Sequence, residues 1–208
     1  MADYFRPQDE AARADARRKL SLRRRHVLLN VKRLHPLAGQ MLLIDAMPAV
    51  LAAHPDTELV FCGTGPRADD LARRVRDLGI GEHVSFAGLV DNRRVALYYT
   101  AADAFVLPSL LEACPTVAVE ALASGTPVIS SDNPGGVELG RLFGDDVAVV
   151  PREDAAALAG AVIARLARPR RALAASADAL DREFRPSVSA ARYAEIYRQA
   201  VAGKPDGC

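Results

Sequence analysis

Two glutamates, Glu112 and Glu120, stand with seven residues between them in a stretch containing proline and threonine. Ionised carboxylates are pure hydrogen-bond acceptors, suited to the hydroxyls of a sugar. If Pro115 is the first helical residue, its missing N–H costs nothing there. Thr116 and Glu120 then fall at i and i+4 on one face. The N–H groups around Thr116 and Val117 would hold a phosphate, with Glu120 one turn deeper to meet sugar hydroxyls. Glu112, in the preceding loop, would face the same cleft. On spacing alone a plainer account is preferred: two exposed acids near a helix start, where the dipole favours negative charge.

Other turns carry weaker signals. Gly63-Thr64-Gly65-Pro66 opens a helix but lacks the third glycine of a dinucleotide fingerprint. A tight strand-to-helix turn explains it at least as well as phosphate contact. No Gly-x-x-x-x-Gly-Lys-Ser/Thr occurs, which disfavours a P-loop hydrolase. The run Lys32-Arg33-Leu34-His35-Pro36-Leu37-Ala38-Gly39 offers cations, and His35 reads as a solvent-exposed loop histidine. Asp132 and Asn133 before Pro134-Gly135-Gly136 read as turn formers, and Glu138 as a helix-start acid. Cys62, Cys114 and Cys208 are scattered and odd in number, and the four histidines lack zinc spacing, so no metal site is expected. Cys114, near a helix start, is either a reactive thiol or, preferably, a small buried packing residue.

These residues need a frame. Short, continuously apolar runs at His26–Val31, Glu58–Cys62, Val84–Phe86, Ala104–Leu107, Val128–Ser130 and Val147–Val150 fit strands buried on both faces. Helical stretches at Gln40–Ala53, Arg67–Leu78, Arg93–Thr100, Thr116–Ser124 and Asp154–Ala167 lie between or after them. Further helices are expected at Asp9–Leu20 and Ser187–Ala202. The alternation predicts an α/β fold with a doubly wound, mostly parallel six-stranded sheet and flanking helices at both termini. In such a sheet ligands lie beyond the carboxyl ends of the strands, where the turns above are located. Residues 1–202 read as one domain and 203–208 as a frayed tail.

Composition narrows the function. With 208 residues, 50% hydrophobic, and 27 basic against 26 acidic side chains, the chain suits an ordinary globular domain. Balanced charge argues against a nucleic-acid binder. No apolar run nears the ~18 residues of a membrane span, and the start lacks the apolar core of a secretory signal. The expected location is cytoplasmic. All basic residues except Lys19, Lys32 and Lys204 are arginine. The cluster of Arg17, Arg18, Lys19, Arg23, Arg24 and Arg25 reads as a solvated helix end.

The wider context of the two glutamates resembles the retaining glycosyltransferases of family 4. Carrying the resemblance are Pro108-Ser109-Leu110-Leu111-Glu112, Glu120-Ala121-Leu122-Ala123-Ser124-Gly125-Thr126-Pro127, Gly135-Gly136-Val137-Glu138, and Arg33 with Gly39. Phe61–Pro66, Val84–Gly88 and Tyr98–Ser109 extend it, so that it runs from about Asp3 to Tyr197. It implies the nucleotide-sugar-binding, C-terminal half of a two-domain GT-B enzyme, with the Glu-x7-Glu motif at Glu112 and Glu120. Arg33 would neutralise the leaving diphosphate, Glu112 would hold the transferred sugar near its reacting carbon, and Glu120 would hold the ribose. Gly63 and Gly65 would line the donor site with Thr116 and Val117, and backbone around Gly88 and Leu89 would read the base. The implied chemistry is metal-independent hexosyl transfer with retention, from a UDP-, GDP- or ADP-sugar substrate and without a cofactor.

The resemblance also sets expectations about partners. The N-terminal acceptor-binding half is absent from these residues, and Asp3-Tyr4-Phe5-Arg6-Pro7 looks like the segment leaving it. Turnover would need that half, through which any peripheral membrane association would also come. Self-association through the exposed cleft is a further expectation. Two positions depart from the family pattern: Ala38 stands where a lysine is usual, and Ala113-Cys114-Pro115-Thr116 replaces a Gly-Phe-Gly run. Lys32 is a doubtful substitute for the lysine, because neighbouring side chains of an extended segment face opposite ways. Both departures leave open an alternative, a non-catalytic sugar-nucleotide-binding or interaction module.

Overall fold

A computed structural model describes residues 5–168 and 174–202. Six strands run in chain order: β1 (His26–Val31), β2 (Thr57–Cys62), β3 (Val84–Gly88), β4 (Ala104–Leu107), β5 (Val128–Ser131) and β6 (Val147–Val150). They form one sheet in the order β3-β2-β1-β4-β5-β6. Every pairing is parallel, so the sheet is wholly rather than mostly parallel. Strand order reverses between β1 and β4. That switch point opens a crevice at the carboxyl ends of the two strands.

The helices are α1 (Glu10–Lys19), α2 (Gln40–Ala53), α3 (Ala68–Asp77), α4 (Asn92–Ala101), α5 (Thr116–Ala123), α6 (Pro134–Phe143), α7 (Ala155–Leu166), α8 (Ala174–Glu183) and α9 (Pro186–Ala202). Helices α2, α3 and α7 pack on one face through Leu43, Met47, Leu71 and Leu158. Helices α4, α5, α6 and α8 pack on the other through Tyr99, Leu122, Phe143 and Ala179. The central strands β1, β4 and β5 are buried on both faces, which is why they read as short, largely apolar runs, interrupted only by His26, Asn30, Ser130 and Ser131.

Several elements differ from the sequence expectation. Residues 134–143 form α6, a helix outside the expected ranges, although Glu138 reads as a helix-start acid after the Pro134-Gly135-Gly136 turn. Proline is tolerated in a first helical turn, and the Asn133 side chain caps the helix by accepting from Gly136 N–H at 2.9 Å. Helix α8 was likewise not anticipated. Pro115 is the N-cap of α5, not its first helical residue, and its carbonyl accepts from Ala118 N–H at 2.9 Å. Asp3, Tyr4, and the tail 203–208 with Cys208 lie outside the described residues.

The arginines near the amino end are not simply a solvated helix end. Arg17 donates to Asp103 at 2.8 Å and to the Ala101 carbonyl at 3.0 Å, and Arg13 pairs with the same carboxylate. Asp103 also accepts from Val27 N–H at 2.8 Å. This half-enclosed cluster fastens α1 to the amino ends of β1 and β4, opposite the crevice. Arg18 and Lys19 do sit at the surface, both paired with Asp15.

Candidate functional site

The crevice is built by loops that leave β1, β4 and β5. Parallel pairing continues past β1: Lys32 N–H donates to Cys62 O and Leu34 N–H to Thr64 O, each at 3.0 Å. A Cβ on Gly63 would lie 2.1 Å from the Lys32 carbonyl, and one on Gly65 2.2 Å from that of Leu34. Only glycine permits that approach. Packing against the first loop therefore accounts for both glycines without a phosphate.

A buried polar chain fixes the Arg33 loop across the switch point. Asn30, fully buried within β1, donates to the Val106 carbonyl of β4 at 2.8 Å. Gln40, also buried, donates to the Arg33 carbonyl at 3.1 Å and lies 3.4 Å from Asn30 Oδ1. The loop then meets the one after β4: Leu110 N–H donates to Leu37 O at 2.8 Å. Gly39 takes φ +68°, and a Cβ there would sit 1.9 Å from the Pro108 carbonyl. The Arg33 side chain is exposed, without an ion pair among the described residues.

Glu112 sits where the three loops converge. Its side chain is 9% exposed, and Lys32 Nζ reaches its Oε1 at 2.5 Å. Its carbonyl accepts from Gly135 N–H at 2.8 Å, joining the β4 loop to the start of α6. Asn133 strengthens the same junction by donating to the Ser109 carbonyl at 2.8 Å, so it is a buried tie between loops rather than a turn former alone. Asp132 is engaged by Arg152, and Glu138 by Arg141. His35 is exposed, as expected, and accepts from Leu37 N–H.

Thr116 and Glu120 do share one face of α5. With Cys114, Val119 and Phe184 they line a cavity of about 220 Å³. Burial pushes the Glu120 carboxyl above its usual range, against the opposing pull of the Tyr99 hydroxyl. That hydroxyl lies 3.3 Å from Glu120 Oε2 and 2.9 Å from the Val117 carbonyl. Burial, and then the Glu120 charge, hold the Tyr99 phenol well above its own usual value, so it stays a donor. The Thr116 N–H turns back to the Cys114 carbonyl at 3.0 Å, whereas no partner for the Val117 N–H is found among the described residues.

Cys114 is exposed at the mouth of this cavity, a correction to its expected role as a buried packing residue. Cys62 is the buried cysteine, and burial pushes its thiol up to about 12. Gly88 ends β3, two strands from β1, and Leu89 follows it. Gly63 N–H donates to Gly88 O at 2.7 Å, and Leu89 is 86% exposed. A second groove of about 300 Å³ lies between Phe5, Leu122 and Phe184. It is apolar in character and outside the convergence of loops. No cluster of metal-ligating side chains occurs among the described residues, and none of their helices is long and apolar enough to cross a membrane.

Gln40 and Tyr99 carry no local sequence signal of a site role, and Asn133 reads from sequence only as a turn former. One polar residue in the apolar run His26–Val31 was the available signal for Asn30. The others depend on contacts between distant segments.

Comparison with known proteins adds to this geometry. The profile of the family "Glycosyl transferases group 1" matches residues 12–180. The chain is 36% identical over 179 residues to the GDP-mannose-dependent alpha-(1-6)-phosphatidylinositol monomannoside mannosyltransferase of Mycolicibacterium smegmatis, covering 83% of this chain and 46% of that enzyme. Among solved structures, sucrose-phosphate synthase from Thermosynechococcus elongatus superposes with a TM-score of 0.79 and 33% identity, over 97% of this chain and 51% of the other. The C-terminal domain of the group 1 family protein LpcC from Francisella tularensis is similar in fold, with a TM-score of 0.77 and 19% identity, over 89% of this chain and 100% of that domain. The chain spans about half the length of the curated relatives it matches.

Proposed function

Since the chain belongs to the group 1 glycosyltransferases and has the fold of one GT-B half, we propose that its crevice binds a nucleotide-diphospho-sugar for hexosyl transfer with retention. The observation that supports this reading is the joining of the Arg33 loop to the Glu112 loop at the switch point, through Lys32–Glu112 and Leu110–Leu37, with the Thr116–Glu120 cavity on the helix that follows. Arg33 is exposed and has no ion pair among the described residues, as suits a group that binds an anion. Its charge would oppose the one that grows on the leaving diphosphate, the kind of preorganised electrostatic assistance that most lowers barriers. Such cationic assistance can do the work of a divalent metal, so transfer would be metal-independent.

Glu120 would accept from the ribose hydroxyls, and the free Val117 N–H would meet a phosphate oxygen. Glu112 would hold the sugar next to its reacting carbon. The ends of β2 and β3, with Gly63, Gly65, Gly88 and Leu89, lie within two strand spacings, about 10 Å, of β1. That distance suits a base whose diphosphate lies at Arg33. The acceptor oxygen would bond to the sugar's reacting carbon on the face from which the carbon–phosphate oxygen bond breaks, its proton passing to the leaving phosphate, which retains configuration. Turnover would also need an acceptor-binding half, which the 208 residues do not include, and the setting would be cytoplasmic.

A second reading, a sugar-nucleotide-binding or interaction module without turnover, draws on Ala38, Pro115 and the inward-turned Thr116 N–H. Calorimetric titration with UDP-, GDP- and ADP-sugars, repeated on Glu120→Ala, tests the donor site. Saturable binding of one nucleotide, lost in the variant, supports it and names the base. No saturation by any of them at millimolar concentration overturns it in favour of an interaction module.

A further inference from the structure

We propose that Lys32 is a donor-binding residue of this site, exchanging its carboxylate partner for the donor's diphosphate. The inference rests on the donor-site reading above. In the structure the Lys32 ammonium holds Glu112 at 2.5 Å across the switch point, with 30% of the lysine side chain and 9% of the glutamate side chain exposed. Glu112 is thereby occupied by a cation at the place where it would meet a sugar. The next residue, Arg33, projects an exposed guanidinium with no ion pair among the described residues.

A diphosphate asks for more than one cation, and besides Arg33 and Lys32 the loop offers only His35, whose Nδ1 accepts from Leu37 N–H. Position 38 is an alanine only 2% exposed, and its backbone is held by His35. Arg67, at the end of the neighbouring turn, pairs with Asp70 three residues on, along its own helix. Lys32 is the cation that stands next to Arg33 and is already placed at Glu112. Alternation of side chains along an extended segment fixes only the face from which each Cβ leaves. At the rim of the sheet, a four-carbon stem carries the ammonium past the last paired residue to Glu112.

The chemistry of the pair suits an exchange. An ammonium is a compact point charge on a flexible stem with three rotatable donors, so it can change acceptor by rotating a few torsions. A nearly buried carboxylate stripped of its cation is costly unless hydrogen bonds replace it. The hydroxyls of the incoming sugar supply those bonds as the diphosphate takes the ammonium. Both charges thus remain satisfied, and Glu112 becomes free for the sugar only when a diphosphate has arrived.

The test compares the full chain with Lys32→Met, Lys32→Arg and Glu112→Gln. Each is titrated with the nucleoside diphosphate and monophosphate of the base that binds, and its thermal melt is recorded. Loss of one charge-assisted contact predicts diphosphate binding about 10- to 100-fold weaker in Lys32→Met. Monophosphate binding should change little, and Lys32→Arg should restore most of the diphosphate affinity. Glu112→Gln releases Lys32 from its partner and should bind the sugar-free diphosphate at least as tightly as the wild type. Wild-type diphosphate affinity in Lys32→Met, or weaker diphosphate binding in Glu112→Gln, makes the pair a structural tie and overturns the inference. The donor-site reading then stands if Glu120→Ala still abolishes binding. A wild-type chain that binds no nucleotide removes both.

Discussion

Replacing Glu120 by glutamine separates a residue kept for binding from one kept for stability. Glu120 is half-buried, faces the 220 Å³ cavity, and has the Tyr99 hydroxyl 3.3 Å from Oε2. The substitution keeps size and one acceptor oxygen, so Tyr99 retains its neighbours. What changes is charge. Hydrogen bonds to a charged acceptor contribute about 1.5–3 kcal/mol against about 0.5–1.5 kcal/mol for neutral pairs. Ribose hydroxyls should thus lose about 1–2 kcal/mol, and the nucleotide should bind roughly 5- to 30-fold more weakly. The pH dependence has a definite sign. Burial raises the Glu120 carboxyl, so the folded state binds its proton more tightly than the unfolded state. Its cost to stability is absent below the ordinary carboxylate value and complete above the raised one. Glu120→Gln should therefore melt at or above the wild type at pH 7, with the difference vanishing in acid. Wild-type nucleotide affinity should fall as pH drops through the raised value, while that of Glu120→Gln stays flat. Calorimetry and thermal melts over a pH series read both effects. A variant that melts lower at pH 7 and binds nucleotide like the wild type would refute the reasoning.

Two further outcomes follow from the same geometry. Asp103→Asn leaves Arg17 half-enclosed without its anion and Arg13 with only the exposed Glu10 at 3.5 Å. Breaking such a pair costs about 3–5 kcal/mol, which for a chain of this size lowers Tm by roughly 6–20 °C; a loss below about 3 °C would show the cluster to be dispensable. Cys114 is exposed at the cavity mouth, whereas the Cys62 thiol is buried and raised to about 12. In a Cys208→Ser background, iodoacetamide should modify Cys114 and spare Cys62, and the bound nucleotide-sugar should slow the modification at least several-fold, as followed by peptide mass spectrometry. An unchanged rate with nucleotide bound would place the ligand away from Thr116 and Glu120.

The strands were legible because β1, β4 and β5 are buried on both faces and so appear as short, mostly apolar runs; the strand ends shift by no more than two residues. Helix α6 was not, since Pro134-Gly135-Gly136 is turn chemistry by local preference. Its start is held by contacts from the β4 loop, Gly135 to Glu112 and Asn133 to Ser109, which local spacing does not encode. The face shared by Thr116 and Glu120 followed from the helical period alone. The partner of Glu112 did not, because a long lysine at a strand end escapes the parity that governs shorter side chains. Asp103 drew Arg17 inward for a similar reason: an acid between two apolar strands needs cations, but the sequence does not say which ones arrive.

The central claim concerns where the donor lies, and a crystal structure of the chain with the nucleotide-sugar that binds tests it most directly. The account predicts diphosphate density between the Lys32–Arg33 loop and the start of α5. It also predicts ribose at Glu120 and the Lys32–Glu112 contact broken. Density instead in the groove between Phe5 and Phe184, or at the amino ends of the strands near Asp103, would contradict it.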